Sequence, residues 1–267
     1  MSNELILSLA PADRLVRATQ VTAAIARACP EASFRGRRVL LIVPDGTRTA
    51  PIGLLFQALH QAIGSAAAKL DVMIALGTHQ PMSEEAICQR LEITLDERRG
   101  RYGQVEFINH EWDNPAALQE IGTIPADEIR ELTGGLFAMD VPVEINRRLF
   151  SYDQVILIGP VFPHEVVGFS GGNKYLFPGV AGPRILNFFH WLGAVVTNPM
   201  IIGNKWTPVR RVVDRAGAMV RLPKLCFCLV VAPDKSLAGL FAGTPEAAWD
   251  AASELSRELH IVRQERP

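Results

Sequence analysis

Five short apolar runs punctuate the chain at 39–43 (VLLIV), 72–76 (VMIAL), 105–108 (VEFI), 155–159 (VILIG) and 226–232 (CFCLVVA). They are rich in β-branched residues and bounded by Gly, Pro or charge, the pattern of strands buried on both faces. Helical spacing lies between some of them. After Pro51, residues Ile52, Leu55, Phe56, Leu59 and Ile63 recur at i, i+3, i+4, i+7 and i+11, one apolar stripe behind a proline suited to the first helical position. Ser83 followed by Glu84 and Glu85 predicts a second helix start. Thr244, Pro245 and Glu246 predict a third, with Ala248, Ala252, Leu255 and Leu259 on its inner stripe. Strand, loop, helix, strand is the βαβ signature, so the expected fold is α/β, a largely parallel, Rossmann-like sheet flanked by helices. Gly and Pro gather at 159–183, which predicts a Gly-rich, shaped loop region.

Composition narrows the function classes. The chain has 267 residues, 48% hydrophobic and 21% charged, enough for one large core and unlike a disordered chain. With 27 basic against 28 acidic residues there is no positive field for nucleic acid or anionic lipid, and neither is expected as a partner. The N-terminus lacks a signal-peptide pattern, and the longest apolar runs fall far short of the roughly 20 residues of a membrane span. A cytoplasmic location is therefore expected. Cys29, Cys88, Cys226 and Cys228 form no CxxC pair and read as buried thiols.

Three loops carry candidate chemistry. PDGTRTAP at 44–51 follows a strand and precedes a helix, where ligands bind in open α/β sheets. Its Asp45 can cap backbone donors or hold a hydroxyl, and Arg48 offers a planar fork for a carboxylate or phosphate. GTH at 77–79 repeats the architecture and puts His79, a residue able to move a proton near neutral pH, on the same rim. The richest stretch, 161–191, holds His164, Lys174 and His190 around a turn from Gly168 to Gly172 whose amides could approach a phosphate. Lys174 reads either as a nucleophile of lowered pKa or as a surface lysine. His190, among Phe188, Phe189 and Trp191, reads either as a core histidine with a backbone partner or as a metal ligand. His60, His110 and His260 read as structural or solvated. There is no Walker loop, GxGxxG, GxSxG, HExxH or zinc-type Cys/His cluster.

In combination, DGTR at 45–48, GTH at 77–79 and the H-x9-K-x15-H block of His164, Lys174 and His190 resemble the N-terminal catalytic domain of the lactate racemase family, from about residue 4 to 262. The resemblance implies a nickel-pincer nucleotide attached through Lys174, with His190 as the fourth nickel ligand. Soft sulfur donors with one imidazole suit nickel(II). It also implies His79 and His164 as the acid/base pair of a 2-hydroxy acid racemase or epimerase, working by hydride transfer through a 2-oxo acid. Arg48 would hold the substrate carboxylate and Asp45 would contact the cofactor or position its neighbours. Ser170, Gly171 and Gly172 are the residue-level candidates for the cofactor phosphate. Residues 1–267 are expected to be this N-terminal domain without the family's usual C-terminal domain, so the remaining wall would come from a separate C-terminal domain or another copy of the chain. Two other classes compete: a non-catalytic module that holds the nucleotide, and a divalent-metal hydrolase built on His79, His164 and His190.

Overall fold

The computed structural model describes residues 4–47 and 49–262. In chain order the elements begin with β1 (Leu5–Leu9), α1 (Ala18–Ala28), α2 (Glu31–Phe34), β2 (Arg38–Pro44), α3 (Ile52–Ile63) and β3 (Lys69–Ala75). There follow α4 (Glu84–Arg90), α5 (Leu95–Arg99), β4 (Phe107–Asn109), β5 (Leu118–Ile124), α6 (Ala126–Leu132), β6 (Val141–Asn146) and β7 (Gln154–Pro160). The last part contains the two short strands β8 (Pro163–His164) and β9 (Gly168–Phe169), then α7 (Pro183–Val196), α8 (Asn198–Ile201), α9 (Pro208–Met219), β10 (Lys224–Val231), β11 (Leu237–Gly243) and α10 (Pro245–His260).

Seven strands form one sheet in the order β1-β11-β10-β7-β2-β3-β4. The five from β10 to β4 run parallel, while β11 and β1 add antiparallel at one edge. Each apolar run expected to be a strand lies wholly or partly in this parallel part. The runs are continuous because alternate residues feed two cores. Leu40, Ile42, Val155 and Leu157 point into one, and Val39, Leu41, Ile156 and Ile158 into the other.

The helix signals hold for physical reasons visible in the caps. Ser83 Oγ accepts from the Ala86 amide at 3.2 Å and starts α4, and Thr244 Oγ1 accepts from the Ala247 amide at 3.3 Å and starts α10. In α3 the residues Ile52, Leu55, Phe56, Leu59 and Ile63 are all buried. The segment 161–182 is mostly irregular, interrupted by the β8–β9 hairpin and a 3-10 turn at Gly172–Tyr175. Among the described residues no helix is long and apolar enough to cross a membrane. All four cysteines are buried and unbridged, with Cys226 and Cys228 on the same side of β10.

Candidate functional site

From β2 the chain steps to β3 and β4 on one side, then returns through β7 to β10 on the other. The order therefore reverses between β2 and β7, the place where an open α/β sheet leaves a crevice beyond its carboxyl ends. A cavity of about 170 Å³ occupies it. Asp45 and Thr47 reach it from the loop after β2, His79 from the loop after β3, and His164 from the β8–β9 hairpin. Lys174 and Tyr175 come from the 3-10 turn, and His190 from α7. The loops are tied to one another. Gly77, at φ +55, donates its amide to the Gly179 carbonyl at 2.9 Å, joining the rim after β3 to the segment that follows Lys174.

Asp45 and His79 form a pair. Asp45 Oδ2 lies 2.6 Å from His79 Nδ1, while Oδ1 accepts from the Thr47 hydroxyl at 2.6 Å and the Thr47 amide at 3.2 Å. Burial pushes the Asp45 carboxyl up, but the bonds from Thr47 and His79 outweigh it and hold the group below its ordinary value. A carboxylate can only accept, so Nδ1 carries the ring hydrogen and Nε2 of the neutral imidazole bears the lone pair. The Asp45 side chain is 9% exposed and that of His79 52%, which makes the first an anchor and the second the group that meets a ligand.

His164 is arranged the other way round. Its side chain is 6% exposed, and its Nδ1 accepts the Val166 amide at 3.1 Å. The neutral ring therefore carries its hydrogen on Nε2. The Glu165 carboxylate lies 3.5 Å from the same Nδ1. The cavity thus presents one histidine whose outer nitrogen is a base and one whose outer nitrogen is a donor.

Lys174 is half-buried, one residue beyond Asn173, whose amide donates to Asp214 at 3.1 Å and Glu246 at 2.7 Å. His190 donates from Nδ1 to the Leu186 carbonyl at 3.0 Å, which puts the lone pair of the neutral ring on Nε2. Partial burial lowers its pKa, and the Lys174 cation adds to this against the raising pull of the Leu186 carbonyl and Glu165, so the neutral ring is favoured. Of the core-histidine reading the structure keeps one half: His190 has its backbone partner, but the residue is exposed rather than in the core.

Other expected site residues lie elsewhere. The structure does not bring Ser170, Gly171 and Gly172 to the cavity, which corrects their reading as a phosphate cradle. Ser170 Oγ donates to the Pro160 carbonyl at 3.0 Å and accepts the Phe162 amide at 2.9 Å. A Cβ on Gly171 would meet Val161 Cγ2 at 2.5 Å, and one on Gly172 would meet Trp249 Cβ at 3.0 Å. These glycines let the chain pass close to neighbouring side chains. Arg48 lies outside the described residues. Among them, no three His, Cys, Asp or Glu side chains, His79, His164 and His190 included, converge as a metal-ligand set. His60 packs its ring on Tyr102, His110 is buried, and His260 bonds Ser256 and Val231. Thr47 and Tyr175 were not legible as site residues, although each adjoins one that was.

The fold and cavity define an α/β domain with a histidine- and lysine-lined site at the switch point of its sheet. The chain belongs to the lactate racemase N-terminal domain family, which matches residues 11–200. Lactate racemases of Thermoanaerobacterium thermosaccharolyticum and Lactiplantibacillus plantarum are each 26% identical to it, over 239 and 235 residues and 85% of this chain. The chain spans about half the length of these curated relatives, 49% and 50%. A crystal structure of a Thermotoga maritima protein is 28% identical with a TM-score of 0.86, over 97% of this chain and 63% of that one. The lactate racemase apoprotein of T. thermosaccharolyticum shares the fold, with a TM-score of 0.68 at 21% identity over 90% of this chain and 55% of that one.

Proposed function

We propose that this chain is the N-terminal, cofactor-holding domain of a 2-hydroxy acid racemase of the lactate type. The observation that carries the reading is the convergence of His79, His164, Lys174 and His190 on one cavity in a member of this family. The donor set fits a nickel-pincer nucleotide, which needs one amine for attachment and one imidazole on the metal, and not a protein cage of three or more ligands. Lys174 would hold one arm of the group and His190 Nε2 would complete the nickel coordination. Bound there, the group would supply a site that accepts a hydride from substrate C2 and returns it.

The protein's own residues handle the protons. His79 takes the proton of the 2-hydroxyl at Nε2, and the charged ring is stabilised through Nδ1–H by Asp45, which is already ionised. His164 holds a proton at Nε2 and is the donor for the oxygen of the 2-oxo acid. The two act in reverse order for the opposite enantiomer, so each must both give and accept a proton. Arg48 is assigned the substrate carboxylate.

The test is the denatured intact mass and nickel content of the chain after co-expression with the enzymes that build the pincer nucleotide. An adduct that disappears in Lys174→Ala, with about one nickel per chain, supports the reading. An adduct retained by Lys174→Ala refutes the role of that lysine. Loading without turnover would favour the non-catalytic module.

A further inference from the structure

Arg90 is the last residue of α4 and reaches back beneath the loop that joins β2 to α3. Its Nε donates to the Pro44 carbonyl at 3.2 Å and its Nη1 to the Ala50 carbonyl at 3.3 Å. Those carbonyls stand at the two ends of the stretch that carries Asp45 and Thr47. Its Nη2 is buried without an acceptor among the described residues. Burial lowers its pKa against the opposing pull of Tyr175 and Asp45, both of which line the cavity.

A guanidinium held in this way is poor economy if stability alone is at issue. It loses water, gains two neutral acceptors and leaves a donor unmet, where an apolar side chain of similar volume would do at least as well. What the guanidinium does provide is geometry, because its planar fork fixes two carbonyls at a set separation. Pro44 is adjacent to Asp45, and Asp45 Oδ2 is 2.6 Å from His79 Nδ1, so a fixed Pro44 carbonyl fixes the peptide unit from which the carboxylate that selects the tautomer of His79 branches.

We infer that Arg90 is a positioning residue for the Asp45–His79 pair: by clamping both ends of the 44–50 loop it holds the carboxylate where it keeps His79 in the Nδ1–H form. The catalytic meaning of that clamp rests on the reading of His79 as a proton-transfer group. The clamp itself does not, and its test reads the ring and not turnover.

The measurement is long-range ¹H–¹⁵N correlation of the histidine rings in the 267-residue chain, at a pH where His79 is neutral. In the unmodified protein His79 shows a protonated Nδ1 and a bare Nε2. Asp45→Ala supplies the reference for a ring released to its own preference. Arg90→Lys keeps the charge but has no fork, and Arg90→Gln loses both. The expected result is that His79 moves to the Asp45→Ala pattern in both, while the His110 ring signals, from a packed position elsewhere, stay in place. Retention of the Nδ1–H form in both variants overturns the inference, as does a bare Nδ1 in the unmodified protein. If neither variant keeps the His110 signals, the decision passes to the unmodified chain. An Arg90 Nε–H that is protected from solvent exchange and coupled across the hydrogen bond to the Pro44 carbonyl supports the clamp, and a rapidly exchanging one refutes it. A failed Lys174 adduct would sink the racemase reading without touching any of these signals.

Discussion

Acidification should loosen the wall of the cavity through His110, a residue that does not touch it. His110 follows β4 and is 1% exposed. Its Nε2 donates to the Ala181 carbonyl at 3.0 Å, and its Nδ1 accepts from the Asn146 amide group at 3.1 Å. Both ring nitrogens are thus used in the neutral form, and a second ring hydrogen would face the Asn146 donor. Burial outweighs the raising influence of the Ala181 carbonyl, Glu111 and Asp113 and takes the pKa down to about 4. The unfolded chain, with a histidine near 6.5, therefore binds this proton first as the pH falls. The stability that neutral His110 contributes is complete above about pH 6.5 and is lost progressively down to about pH 4, a difference of roughly 3 kcal/mol at 1.36 kcal/mol per unit. Urea unfolding of the chain and of His110→Gln, which keeps an amide donor for Ala181 but does not titrate, measures it. Across that window the unmodified protein should lose about 1.4 kcal/mol more per pH unit than the variant. Carboxylates such as Asp153, held down to about 2 by Arg38, weigh on both chains alike. Parallel pH profiles for the two proteins, or a His110 ring that titrates near its ordinary value by NMR, would refute the argument.

On the proposed racemase reading, Asp45→Asn should reduce kcat of the cofactor-loaded chain by about 10²- to 10⁴-fold with little change in KM, because it would remove the charge behind the proton acceptor and leave the cavity's outline. Steady-state kinetics in both directions check it. Gly168→Ala should cost about 2 kcal/mol or more of thermal stability, since Gly168 is at φ +92 and a Cβ there would sit 1.9 Å from the Asn204 carbonyl.

The parallel half of the sheet was legible because strands buried on both sides are written as unbroken β-branched runs. The antiparallel edge was not. β11 reads LAGLFAG, and its glycines are there because Leu255 and the Glu4 backbone leave no room for a Cβ at Gly239 and Gly243. Small residues chosen for close approach carry no period of two. In the β5–β6 pair, β6 does bury Val141, Val143 and Ile145 at alternate positions, but the strand is six residues long with Pro142 inside it, and its partner β5 is mostly part-exposed, so the signal is short and broken. The glycines at 171 and 172 misled for a related reason: close approach to Val161 and Trp249 demands the same residue type as close approach to a phosphate. At the site, loop order disclosed His79, His164, Lys174 and His190. The bond that links Asp45 to His79 spans 34 positions and depends on β2 and β3 lying side by side, which only the fold supplies.

The staples show why a sequence can disclose the groups of this cavity and not what holds them. Asp45, His164 and His190 bond backbone only within four residues of themselves, so the carbonyls at the far ends of these segments fall to groups that approach from behind. Arg90 takes the carbonyls at 44 and 50, and His110 takes the carbonyl at 181. The fully buried Arg210, stacked 4.0 Å from the Trp249 ring, takes the carbonyls at 169 and 171 just before Lys174. Each anchor is a guanidinium or imidazole bonded to backbone oxygen, half-buried in Arg90 and buried in His110 and Arg210, and each lies at least 39 positions from its acceptor. Backbone acceptors have no residue identity, so no pairing of residue types can betray the contact. It follows that substitutions at Arg90, His110 or Arg210 should alter the cavity's proton chemistry even though none of the three lines it.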